Sequence, residues 1–397
     1  MRVLFILLAS MLAVACSSPA PASPTTAPGK PTSAPPVAAS PGAAASPGAA
    51  ASPAAGLPFI PPAAKAGGGP TQAEVNSVIN SYYEKAKAAK QTNVVIYGGV
   101  GAEWDALIPE YRKRFPEIQL EKVNLRGPEM LQRLAAEKAS GKHVANIAIH
   151  GQTTMSTYDK QGELTEWEGP PTAPLIPPAG LTDGKTRWSY RVSLFSAFVN
   201  TDLVPADKIP SGRLELLEPF WKGKGKLLLE DPRGGGPGLD VGTINYVQLG
   251  DQWLAGLKSQ EATFVRDRDA APAQIARGEF ALFYPVTMTS ELSEMAKIAP
   301  VKPVYFTDGG TSIQESTVGI VKDAPGQDAA KMFISWLLSE EGQKLVVEQQ
   351  KSYAALPGLP PPDGQPPIEQ VKPSKRTDEQ VTRNNEFIEI FDKALFR

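Results

Sequence analysis

An α/β fold is predicted for residues 71–397. Short apolar runs of strand character alternate with stretches of helical period. Glycine-rich turns fall between strand and helix, and the connections are long enough for parallel crossovers. The first strand is Val94-Val95-Ile96-Tyr97, followed by the turn Gly98–Gly101. Trp104, Leu107, Ile108, Tyr111 and Phe115 then recur at helical spacing, and Pro116 stops the stripe. Ile118–Val123 is the second strand, Met130–Ala139 a helix ended by Ser140-Gly141, and Val144–Ile149 the third strand. The loop His150–Thr154 follows it.

Farther along, Trp188–Asn200 alternates apolar and polar residues and reads as a long strand. Leu227-Leu228-Leu229 is a buried strand, and the glycine run Gly234–Gly236 leads into a helix over Thr243–Leu257. A helix over Ala270–Gly278 precedes the strand Ala281–Val286. Ser316–Val321 is a further strand, and Ala329–Gln349 a single amphipathic helix with Met332, Phe333, Trp336, Leu337 and Leu345 on one face.

Ahead of this body lie two segments of other kinds. Arg2 and the uncharged run Val3–Ala15 form an export signal, too short for the roughly 20 residues that span a bilayer. Ala13 and Ala15 flank Val14, and Cys16 follows directly. The alternatives are a lipoprotein signal, with Cys16 acylated, and a plain signal cut near Ala15. The chain has 1 cysteine, at the position lipidation requires, which favours the first. Residues 17–70 form a tether of Pro, Ala, Ser, Thr and Gly with the repeat PGAAAS-PGAAAS. Such a composition does not bury enough surface to offset its ordering entropy.

Composition excludes several functions. A single Cys leaves no intrachain disulfide and no cysteine-clustered metal site, and 2 histidines supply little for another. Lys+Arg 40 against Asp+Glu 42 gives no basic field for nucleic acid. Gly99-Val100-Gly101 is followed by Trp104 where a dinucleotide fingerprint needs its third glycine, so no cofactor is implied. No Gly-x-Ser-x-Gly elbow occurs, and His143 and His150 lack an evident nucleophile. A surface-tethered hydrolase and a structural lipoprotein stand as the rival classes.

Ligands of such sheets bind beyond the carboxyl ends of the strands. This singles out Gly99, Val100 and Gly101, whose backbone N–H groups are expected to be free, Arg126 in the second loop, and Gly151, Gln152 and Thr153 in the third. In the second half it singles out the glycine run Gly234, Gly235 and Gly236 with Arg233 beside it, and Tyr284 is available as an apolar wall.

The motif order resembles an extracytoplasmic solute-binding protein of an ABC importer, closest to the ferric-ion-binding branch. The segments that carry the resemblance are VVIYGGVGAEWDALIPEYRKRFPEIQLEKV, FWKGKGKLLLEDPRGGGPG and STVGIVKDAPGQDAAKMFISWLLSEEGQKLV, within about residues 91–357. The resemblance implies a two-lobed type II periplasmic-binding-protein fold with a hinged interlobe cleft. Lobe one is expected at 91–193 plus 312–397 and lobe two at 194–311. It implies a monomer that captures a small solute, presents it to a membrane permease and performs no covalent chemistry. The iron ligands of the branch, a His, a Glu and two adjacent Tyr, fall at Gly101, Gly151 and Val286-Thr287. Hard ferric iron wants anionic oxygen, so the expected ligand is a small polar or anionic organic solute met by Arg126 or Arg233. A ferric-iron importer is the alternative.

Overall fold

The computed structural model describes residues 68–176 and 185–397. The leader, Cys16 and nearly all of the tether lie outside the described residues. Among the described residues no helix is long and apolar enough to cross a membrane.

The elements in chain order are α1 (Gln72–Ala88), β1 (Asn93–Gly98), α2 (Leu107–Arg114), β2 (Gln119–Asn124), α3 (Gly127–Ser140), β3 (Ile147–Gly151), α4 (Gln152–Lys160) and β4 (Arg187–Asn200). Then come β5 (Leu227–Glu230), α5 (Gly236–Leu249), α6 (Asp251–Ser259), β6 (Thr263–Val265), α7 (Ala271–Ala276), β7 (Leu282–Thr287), α8 (Ser290–Ile298), β8 (Val301–Val304) and β9 (Thr311–Ile320). The chain ends with α9 (Gln327–Leu337), α10 (Glu340–Gln350), β10 (Tyr353–Ala354), β11 (Pro373–Ser374), α11 (Asp378–Thr382) and α12 (Asn384–Phe391).

Two sheets share β4 and form the two lobes. In the first, β1 pairs in parallel with β2 and β3, and β3 runs antiparallel to β9, with Ile149 opposite Val318. The first half of β4 completes it against β9. From Phe195 onward β4 leaves this sheet and pairs with β7 and β8, and β5 joins β7 to β6 in parallel. The chain therefore crosses between the lobes at residues 194–195 and again between β8 and β9. Each sheet is buried on both faces, which explains the near-continuous apolar runs of β1, β5 and β7.

The first lobe's larger core gathers Trp104, Tyr111, Phe115, Phe333 and Trp336, with the Tyr111 and Trp336 rings 5.3 Å apart. The helix α1 belongs to it, although sequence reading placed no element there. Val75, Ile79, Tyr82 and Ala86 bury one face, and the capping box closes with Glu74 accepting from the Thr71 amide at 2.7 Å. The second lobe's core holds Leu229, Leu239, Trp253 and Tyr284.

Three sequence expectations change. The helix over 329–349 is two, because Ser339 caps α10 by accepting from the Gly342 amide at 3.3 Å. A Cβ on Gly342 would sit 2.3 Å from the Trp336 carbonyl, so the tight junction requires glycine. The helix over 243–257 begins earlier and breaks at Gly250, whose φ is 73°. The chain's end, expected with lobe one, instead packs Phe387 and Phe391 into the second lobe's core.

That end is a strap. It leaves lobe one at β10, lays β11 beside β9 at Thr311 and Ser312, and finishes on lobe two. It is a third span between the lobes.

Candidate functional site

The cleft is built from strand ends. The carboxyl ends of β1, β2 and β3 present the first lobe's loops, and those of β5, β6 and β7 present the second's. The first turns of α4 and α5 meet across it, where the Thr153 hydroxyl donates to Asp240 Oδ1 at 3.3 Å. Beside this contact is a pocket lined by Gly151, Gln152, Thr153, Asp240, Gln314 and Glu315, closed by Lys375 and Arg376 from the strap.

Charges on this surface come in pairs. Arg376 lies 2.7 Å from Asp240, and Lys375 lies 3.1 Å from the buried Glu315. Arg268, in the loop after β6, lies 3.3 Å from Glu230 at the end of β5. Arg126 reaches across the cleft to Asp267 at 3.8 Å. Burial raises both the Glu230 and the Asp240 carboxyls above the ordinary carboxylate range, against the lowering pull of Arg268 and Arg376 respectively.

Gly151, Gln152 and Thr153 line the pocket, and Arg126 lies on the facing loop. Gly234, Gly235 and Gly236 lead into α5, and Gly235 and Gly236 adopt φ of 77° and 58°, conformations that favour glycine. Thr287 ends β7 opposite Phe195. A Cβ on Gly99 would lie 3.9 Å from His150 Cδ2, so the two are neighbours. His150 is neutral at physiological pH: burial, with the charge of Arg191, lowers its pKa to about 4.

Other residues are placed differently. The amides expected to be free in the first loop are used internally: Gly99 donates to the Ile149 carbonyl at 3.0 Å, and Val100 donates to Asn124 Oδ1 at 3.2 Å. The Val100 side chain is core, and the Gly101 carbonyl accepts from Lys122 at 2.6 Å. Arg233 is turned away from the cleft. It holds Asp231 at 2.8 Å and Asp392 at 3.0 Å and stacks on Phe396. Tyr284 packs on Phe306 in the lobe-two core, its hydroxyl pushed up to about 12 by burial.

Asp240, Gln314, Glu315, Lys375 and Arg376 escaped sequence reading. Asp240 sits inside a helix, Glu315 inside a strand, and the two cations in a coil about 60 and 136 residues from their partners. No local pattern marks such residues; only the path of the strap brings them together.

Two lobes on shared strands, facing each other with their strand-end loops across a polar cleft, define a type II periplasmic binding protein. A family profile described as bacterial extracellular solute-binding protein matches residues 143–385, and the chain belongs to that family. It is the solute-binding component of an ABC importer, with a small-molecule ligand and a permease partner. The chain is 25% identical to iron uptake protein A2 of Synechocystis sp. over 161 residues, 36% of this chain and 46% of that one. It is 28% identical to iron uptake protein A1 of the same organism over 261 residues, 60% and 70% of the two chains. In fold it matches the periplasmic binding protein AfuA of Actinobacillus pleuropneumoniae, solved with exogenous fructose 6-phosphate bound. The TM-score is 0.63 at 17% identity, covering 77% of this chain and 98% of that one.

Proposed function

We propose that this protein captures a small organic solute in the interlobe cleft, closes its lobes on it and yields it unchanged to the permease. The observation that carries this is the donor set of the cleft. Gln152, Thr153 and Gln314 offer neutral polar groups, and the carboxylates beside them are already matched by Arg or Lys. Among the described residues no group of three or more His, Cys, Asp or Glu side chains is placed to hold a metal ion. The tyrosine nearest the branch's iron position, Tyr284, is buried with a raised pKa, the reverse of the tyrosinate that ferric iron takes.

The ligand-contacting residues in this reading are Arg126, Gln152, Thr153 and Gln314, with Gly99, Gly151, Gly234–Gly236 and Thr287 shaping the walls. The chain acts as a monomer without enzymatic turnover. Cys16 carries lipid, and residues 17–70 hold the body off the outer face of the cytoplasmic membrane. The sequence alone supports these last points: the apolar run before Cys16 and the Pro/Ala/Ser composition after it.

The iron named in the descriptions of two relatives makes ferric capture the second reading. A thermal-shift screen separates the two, because a ligand that binds only the folded state raises Tm. A rise with organic solutes and none with ferric nitrilotriacetate is expected. A rise confined to the ferric chelate, with a visible tyrosinate charge-transfer band, refutes the organic-solute reading.

A further inference from the structure

The cleft's charges cancel. In the pocket Asp240 is matched by Arg376 and Glu315 by Lys375; on the facing loops Glu230 is matched by Arg268, and the exposed Asp267 lies 3.8 Å from the exposed Arg126. Arg233, the cation expected to meet an anion, is held between Asp231 and Asp392. A phosphate ester or a citrate in this pocket would bring two or more negative charges beside Asp240 and Glu315, whose cations Arg376 and Lys375 are already engaged. A bare metal ion would find no spare carboxylate cluster.

Hydrogen-bonding capacity is not cancelled in the same way. Arg376 is 5% exposed, and its Nε–H, among the residues lining the pocket, has no acceptor. Glu230 is 9% exposed, and its Oε2, though 3.3 Å from Arg268, receives no hydrogen bond. Glu230 lines a separate, largely apolar pocket of the second lobe, beside Leu229 and Val241. In the cleft pocket a buried donor, Arg376 Nε–H, is thus left wanting, a cost that a ligand relieves. The Gln152 and Gln314 amides each add both a donor and an acceptor. A hydroxyl is the group that both accepts from a guanidinium and donates to a carboxylate.

We propose that the cleft takes an uncharged, hydroxyl-rich solute, a sugar or polyol, in preference to a phosphorylated, carboxylated or metal-ion ligand. This rests on the organic-solute reading above and narrows it.

The test uses the full chain in detergent and six probes: glucose, myo-inositol, sorbitol, citrate, fructose 6-phosphate and ferric nitrilotriacetate. Melting temperature and calorimetric titration are read for each. The expected result is binding of at least one of the three neutral probes and none of the charged ones. The affinity should hold within about twofold between about 50 mM and about 500 mM salt, because a neutral ligand is not screened. Gln152→Ala and Gln314→Ala should each weaken that binding about tenfold, the loss of one ligand hydrogen bond, with Tm unchanged in the absence of ligand.

Binding of citrate or fructose 6-phosphate, or no binding of any neutral probe, overturns the inference. The first of these leaves the organic-solute reading standing. Binding of the ferric chelate alone overturns both. Both glutamine variants binding as tightly as wild type would also overturn the placement in this pocket.

Discussion

Replacing Arg376 with Ala tests the strap most directly. The Arg376 guanidinium lies 2.7 Å from Asp240 Oδ1 and also donates to the Gln380 carbonyl and to Asn384 Oδ1. Truncation leaves the Asp240 carboxylate with only the Thr153 hydroxyl. Breaking a buried pair by removing one partner costs about 3–5 kcal/mol. The Asp240 side chain keeps 23% of its exposure, so water offsets part of the loss and the low end, about 3 kcal/mol, is expected. At about 2 °C per kcal/mol for a chain of this size, Tm falls by about 6 °C. Circular dichroism melts of wild type, Arg376→Ala, Asp240→Ala and the double variant form the cycle. The double variant should be less destabilised than the sum of the singles by about 1 kcal/mol or more, since the uncompensated carboxylate is gone. A single Arg376→Ala melting within about 1 °C of wild type, or strict additivity in the cycle, would refute a coupled pair between the strap and the second lobe.

Further outcomes are expected elsewhere. Gly98→Ala should fail to give soluble folded protein, because the backbone φ is 143° and a Cβ would lie 1.6 Å from the Ile149 carbonyl; normal yield and melting would contradict the close approach of β1 and β3. His150 has a folded pKa of about 4 against about 6.5 unfolded. The unfolded chain therefore binds this proton first, and stability is lost as pH falls from about 6.5 to about 4. Urea titrations across that window should show a shallower loss in His150→Gln, and an unchanged slope would contradict the assignment. Arg126→Ala removes an exposed pair at 3.8 Å and should shift stability by less than about 1 kcal/mol, while calorimetry shows weaker ligand binding; a large Tm loss would mean that Arg126 is structural. Small-angle scattering should show compaction when ligand is added, as lobe closure requires.

The fold was legible where short-range pattern decides it. The strands β1–β3, the long β4 and the stripe Met332–Trp336 follow from apolar spacing alone, since each packs on neighbours that only require apolar side chains. The helix α1 carries the same signal in Val75, Ile79, Tyr82 and Ala86, yet its position beside a low-complexity tether concealed it. The site was legible only in its backbone half. Glycines at strand ends mark where a cleft lies, and Gly151–Thr153 stand there. Charged side chains were harder to place. Nothing in the sequence around Arg233 says that its partner is Asp392, 159 residues later, or that Phe396 covers its face. Likewise nothing local to Lys375-Arg376 says that a terminal coil returns to the middle of the molecule.

The strap also separates the two ends of the folded body. Residue 71 starts a helix sealed into lobe one, whereas Phe396 packs against Phe264 of lobe two at 4.8 Å. The termini therefore ride on different rigid bodies and form a ruler supplied by the chain itself. Two fluorophores, one just ahead of Thr71 and one after Arg397, would report each closing event as a change in energy transfer with no label near the cleft.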